Sequence, residues 1–145
     1  MSTDLIAFIT ARLDEDEAAA KAAWDVEWDW RYVARPFGER PSIAHTVHIA
    51  RHDPARALRR VAATRQLIAE ITGIRHVYVE GDSWLSCSQA VTEWPGDGEP
   101  GSGCSDEKRA GKPCDCGRDA KVRRMLALII SEWDDHPDYR AGWMP

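Results

Sequence analysis

Near the start of the chain, Leu5, Ile6, Ile9 and Leu13 recur three and four positions apart, the spacing that lines one face of an α-helix. Thr3 offers an N-cap, and the following stretch EDEAAAKAA, rich in strong helix formers, extends the helix to about Ala23. A second helix is expected from Asp53, with Pro54 at its first position, where the missing N–H costs nothing. Leu58, Val61, Ala62, Leu67, Ile68 and Ile71 form its apolar stripe, and Gly73 marks its end. A third helix runs from about Asp119 to Trp133 on Val122, Leu126, Ile129, Ile130 and Trp133.

The period shortens between the helices. IRHVYVEGDSWLSCSQAV alternates around Val77 and Val79, meets Gly81-Asp82 and resumes at Trp84 and Leu85, a pattern that predicts a short β-hairpin. WDVEWDWRYV also alternates and reads as either a strand or an irregular link. Residues 94–117, WPGDGEPGSGCSDEKRAGKPCDCG, hold six of the ten glycines and three of the eight prolines, which rules out a free-standing helix or strand there. The fold class expected is α+β, mainly helical: three helices, a small hairpin and a Gly/Cys-rich loop in one domain, residues 1–145. A chain of 145 residues with 43% hydrophobic residues is long enough to bury one core without covalent staples.

Three of the four cysteines, Cys104, Cys114 and Cys116, lie in that glycine-rich stretch, and Cys87 lies just before it. A loop of such composition has little apolar surface with which to offset the entropy of ordering. Two readings follow, a zinc site formed by Cys87, Cys104, Cys114 and Cys116, or free thiols in a flexible loop. Four thiolates satisfy zinc's tetrahedral preference, although a single residue between Cys114 and Cys116 is shorter than the usual knuckle spacing. Disulfides rank below both, because no basic, cleavable leader precedes the acidic N-terminus and a cytoplasmic setting is expected. The longest apolar run, MLALII, is far short of the roughly 20 residues that span a bilayer.

Net charge is −5, unevenly spread: residues 1–30 carry eight acids and two bases, residues 51–75 six arginines and two acids. The basic stretch can serve a partner or be satisfied inside the fold. Arg51, Arg56, Arg59 and Arg60, with Trp28 and Trp30 of the tryptophan-rich segment, are the candidate partner-binding residues. Nucleic acid is disfavoured, because Asp25, Glu27 and Asp29 interleave with the tryptophans and would repel phosphate. His45, His48 and His52 share one face if helical and could form a metal-dependent catalytic triad. The Asp53-Pro54 step would then leave that helix with a frayed last turn, so a structural corner is the better reading. No phosphate-binding glycine loop or nucleophile elbow is present in the sequence.

The blocks ITARLDEDEAAAKAA, HIARHDPARALRRVAATRQLI and DDHPDYRAGW resemble the recurring segments of a family of small uncharacterised actinobacterial and actinophage proteins, described only as a domain of unknown function. The matching residues include His48, Ile49, Ala50, Arg51, Asp53, Pro54, Ala55 and Arg56, with His136, Pro137, Asp138 and Tyr139 near the end. The resemblance implies an actinobacterial or bacteriophage origin, a cytosolic setting and no activity that transfers to named residues. The leading expectation is a non-enzymatic accessory protein that binds a host protein or itself, with free thiols slightly ahead of a structural zinc ion as the state of its cysteines. A nucleic-acid binder built on Arg51–Arg65 is the alternative, and a metal-dependent enzyme built on the three histidines is third.

Overall fold

The computed structural model describes residues 2–24, 53–92 and 98–144. Trp28, Trp30, His45, His48, Arg51 and His52, and the expected strand or link near Val26, lie outside the described residues. Contacts divide the chain into two compact units, residues 3–68 and 69–145, each described by itself below.

The first unit carries helix α1, Ser2–Trp24. Leu5, Ile9 and Leu13 are buried as their spacing requires, joined by Phe8 and Ala20. The helix starts before Thr3, so Thr3 is a helical residue and not the cap. Arg12 is buried with its guanidinium 5.2 Å from the Phe8 ring centroid and Nη2 2.6 Å from Glu15 Oε1.

Helix α2, Pro54–Gly73, starts where the sequence places it. Asp53 Oδ1 accepts the Arg56 N–H at 2.6 Å, a side-chain cap on one of the orphan amides of the first turn. Val61 and Ile71 are buried, but Leu67 is 48% exposed, so the apolar stripe is narrower than its hydrophobic positions suggest. Arg65 donates from Nη2 to Asp14 at 2.6 Å and from Nη1 to Glu17 at 2.5 Å, and Lys21 joins Glu17 at 2.5 Å. These bonds join α1 to α2, so part of the charge segregation is satisfied within the fold.

In the second unit, helix α3 spans Arg118–Ile130, and a 3-10 turn continues it over Ser131–Trp133. Gly117 precedes α3 at φ 78°, a left-handed geometry that side chains other than glycine adopt at a cost. Val122, Leu126, Ala127 and Ile130 form its buried face. Arg118 reaches back with Nε to Ile74 O at 2.7 Å and Nη2 to Thr72 O at 2.8 Å, which satisfies carbonyls at the C-terminal end of α2. The tail closes with a 3-10 turn, Ala141–Trp143, in which Trp143 is buried, edge-on to Tyr139 and beneath the Arg140 guanidinium.

No β-strand occurs among the described residues, and the expected hairpin is corrected accordingly. The chain does double back at Gly81, but beyond the turn-closing Asp82 N–H to Val79 O bond, 3.3 Å, the two limbs are linked through their backbones by the Cys87 N–H to Val77 O bond, 2.8 Å. The next position is taken by a side chain: Val79 N–H donates to Ser86 Oγ at 2.9 Å. Successive tight turns, closed by Leu85 N–H to Asp82 O, Ser86 N–H to Ser83 O and Ala90 N–H to Cys87 O, then consume the return limb. Alternation failed as a signal because Val77, Trp84 and Leu85 are 51%, 58% and 65% exposed, so no half-buried sheet face exists for them to line. No helix of the described residues is long and apolar enough to cross a membrane.

Candidate metal centre

The turn at residues 87–90 is a docking post for the glycine-rich segment. Ala90 O accepts the N–H groups of Gly101 and Gly103 at 3.1 and 2.9 Å, and Ser88 O accepts that of Gly111 at 2.9 Å. Ser88 Oγ donates to Pro113 O at 2.8 Å, and Gln89 Nε2 to Lys112 O at 2.5 Å. Gly101 sits at φ 93°, and a Cβ there would collide with the Gly111 amide, so the close approach of the two backbones depends on glycine. A segment without strand or helix is thus docked by hydrogen bonds onto one buried turn.

These bonds bring Cys114 and Cys116 up to Cys87, and His76 enters from the limb before the turn. The ligating atoms of His76, Cys87, Cys114 and Cys116 all lie within 4.8 Å of one another. A tetrahedral zinc ion with sulfur at about 2.3 Å and imidazole nitrogen at about 2.0–2.1 Å sets neighbouring sulfurs roughly 3.8 Å apart and sulfur–nitrogen pairs roughly 3.6 Å apart. Here the Cys87–Cys114 and Cys114–Cys116 sulfurs are 3.9 and 3.6 Å apart, and His76 Nδ1 is 3.5 Å from Cys87 Sγ and 3.8 Å from Cys116 Sγ. Four edges of the tetrahedron therefore have the length that zinc requires. Three thiols and one imidazole are also an established zinc donor set, and four protein ligands leave no open position for a reacting water.

The surroundings favour thiolate ligands unequally. Burial opposes ionisation of Cys87, yet N–H groups of Gln89, Asp115 and Cys116 hold its thiol below the ordinary range, and the Gln89 N–H lies 3.4 Å from the sulfur. Burial pushes the Cys116 thiol up, as do the neighbouring Cys87 and Cys114 sulfurs. Asp115, between the two paired cysteines, accepts Ser88 N–H on Oδ1 at 3.0 Å and Arg109 Nε and Nη2 on Oδ2 at 2.9 and 2.6 Å. Ser88 N–H and the Arg109 guanidinium keep its carboxyl well below the usual carboxylate range, and Asp115 in turn raises Arg109. On the other side of the ring, His76 Nε2 is 3.6 Å from Asp119 Oδ1, which Arg118 Nη1 holds at 3.0 Å. A carboxylate behind a ligating imidazole fixes its orientation and strengthens it as a donor. A cleft of about 690 Å³, lined by Arg75, His76, Tyr78, Gln89, Val91 and Thr92, gives solvent access beside His76.

Three of the four cysteines named from sequence, Cys87, Cys114 and Cys116, come together; Cys104 does not. Cys104 is buried away from the group, with Sγ 4.0 Å from Asp106 O, and His76 takes the fourth place. Sequence reasoning passed over His76 because it sits in the alternating stretch assigned to a strand. Four cysteines also fill zinc's four places on paper, so nothing in the sequence called for a histidine, although His76 is the one nearest to Cys87 along the chain. Of the candidate partner-binding arginines, Arg56, Arg59 and Arg60 are exposed on α2.

No curated protein and no solved structure matches the chain. A family model described as a family of unknown function, DUF6221, matches residues 2–145, well beyond the three blocks that carry the resemblance in the sequence. The chain therefore belongs to the DUF6221 family, whose function is unknown.

Proposed function

We propose that this is a non-enzymatic interaction protein whose glycine-rich segment is stapled by one structural zinc ion held by His76, Cys87, Cys114 and Cys116. The reading is carried by the tetrahedral edge lengths among those four ligand atoms. A filled coordination sphere suits a structural metal, and the exposed apolar residues Val77, Trp84 and Leu85 beside the site supply a surface for a protein partner, another copy included. Zinc is favoured over harder cations because three of its four ligands are sulfur.

The test is elemental analysis of reduced, freshly purified protein, with about one zinc per chain expected. Cobalt substituted for zinc should give the intense near-ultraviolet thiolate charge-transfer bands and tetrahedral visible bands. Reduced protein that holds neither ion at micromolar concentration overturns the reading.

A further inference from the structure

We infer that Arg109 couples the metal centre to the Trp84–Leu85 turn, so that metal occupancy controls how this apolar tip is presented. The inference rests on the zinc reading above. Its basis is one guanidinium that serves both features. Arg109 donates from Nε and Nη2 to Asp115 Oδ2, from Nη1 to Trp84 O at 2.9 Å and from Nη2 to Ser86 O at 3.1 Å. Asp115 is flanked on both sides by ligands, and its other oxygen accepts the amide of Ser88, next to the third sulfur ligand. Ser86 immediately precedes Cys87, while Val77 O accepts the Cys87 amide. The arms bearing the ligands are thereby cross-braced through a single fork.

The tip itself has few other supports. Its turns are closed by bonds of 3.1 and 3.2 Å, and its other anchors include the Ser83–Ser105 hydroxyl contact, the Ser105 N–H to Ser83 O bond, the Asp82 N–H to Val79 O bond and the Val79 N–H to Ser86 Oγ bond. The Trp84 and Leu85 side chains are 58% and 65% exposed. When zinc holds Cys114 and Cys116, the Asp115 carboxylate is aimed at Arg109, whose free N–H groups are aimed at the two tip carbonyls. Without zinc the Cys114–Cys116 segment keeps its bonds to Ser88 and Gln89 but loses two sulfur tethers, so the carboxylate that orients Arg109 is held less tightly. The coupling is reciprocal: whatever loosens Arg109 must also weaken the metal.

The experiment compares wild type and Arg109→Lys, each with zinc alone and after chelation, by amide hydrogen exchange at Leu85 and Ser86 and by competitive zinc titration. Lysine keeps the charge but cannot make the fork. In wild type, chelation should speed exchange at both amides. In Arg109→Lys saturated with zinc, the same amides should exchange as fast as in metal-free wild type, and zinc affinity should fall about 10–100-fold, the range for outer-shell partners. Tip amides indifferent to chelation in zinc-binding wild type overturn the coupling and leave the zinc reading standing. Failure of wild type to bind zinc overturns both. Arg109→Lys that keeps both amides slow when saturated with zinc overturns the role of Arg109, and should that variant not fold, Arg109→Gln takes its place with the same expected and overturning results.

Discussion

At the scale of single residues, the four positions proposed as ligands differ from their neighbours in a way that substitution can read. Cys104→Ser should leave zinc affinity unchanged, because its sulfur is outside the group within which a metal fits. Cys114→Ser or His76→Ala should weaken zinc by more than the roughly 10–100-fold that an outer-shell change costs, and Asp119→Asn should fall within that range. Competitive titration of zinc against a chromophoric chelator measures all four, and equal losses in Cys104→Ser and Cys114→Ser would refute the assignment. The cysteines of the centre were legible in sequence because a glycine-rich segment with three thiols needs something to order it. His76 was not, since histidine alternating with valine and tyrosine looks like a strand residue and only the docking of residues 98–117 on the 87–90 turn brings it within reach. Cys104 shows the opposite error: it lies in the same segment, but the turns that follow Gly101 send its side chain toward Asp106 O.

At the scale of elements, the helices were legible and the connection between them was not. Helical periodicity is a local property, and the Asp53-Pro54 start of α2 combines two independent local signals, a side-chain acceptor and a ring that forgoes a donor. Asp53→Ala should therefore lower stability by about 0.5–2 kcal/mol, measured as a shift in the urea midpoint without a change in slope. The hairpin failed because strand pairing depends on which partner wins each amide. Ser86 Oγ takes the Val79 amide, and tight turns onto Asp82 O, Ser83 O and Cys87 O take those of Leu85, Ser86 and Ala90, an outcome no alternation of residue types encodes. The link between α1 and α2 adds a pH signature. Lys21 first, and then Arg65, hold the Glu17 carboxyl below its ordinary value of 4.5. A carboxylate lowered in the folded state contributes stability that is present in full above the unfolded value and lost as pH falls through the folded one. The stability difference between wild type and Arg65→Met should thus stay constant from neutral pH to about pH 5 and shrink below 4.5. A difference that grows on acidification would contradict it.

At the scale of the whole molecule, a metal held by the proposed site would decide whether a large part of the chain is ordered. The four residues of the cluster run from His76 to Cys116 and enclose nearly all of the segment 98–117, which is docked by hydrogen bonds to the backbone of Ser88 and Ala90. Those bonds replace bonds to water, so each contributes only about 0.5–1.5 kcal/mol net, against a backbone ordering cost of about 1–2 kcal/mol per residue. Glycine raises that cost, and the segment buries little side-chain surface to offset it. A metal bound by the folded form and not by the unfolded one stabilises by about 2.7 kcal/mol at one hundred times its dissociation constant and about 4.1 at one thousand times. Against total stabilities of about 5–15 kcal/mol, that is a large share. Chelation should accordingly lower the stability of wild type and of Cys104→Ser by the same several kcal/mol, and make residues 98–117 the first site of proteolysis. In Cys114→Ser the loop should be cleaved early whether or not zinc is added, because the staple is incomplete. Denaturant titration and mass spectrometry of the first cleavage products read both effects, and a loop equally resistant with and without zinc would mean that its hydrogen bonds to the 87–90 turn suffice to order it.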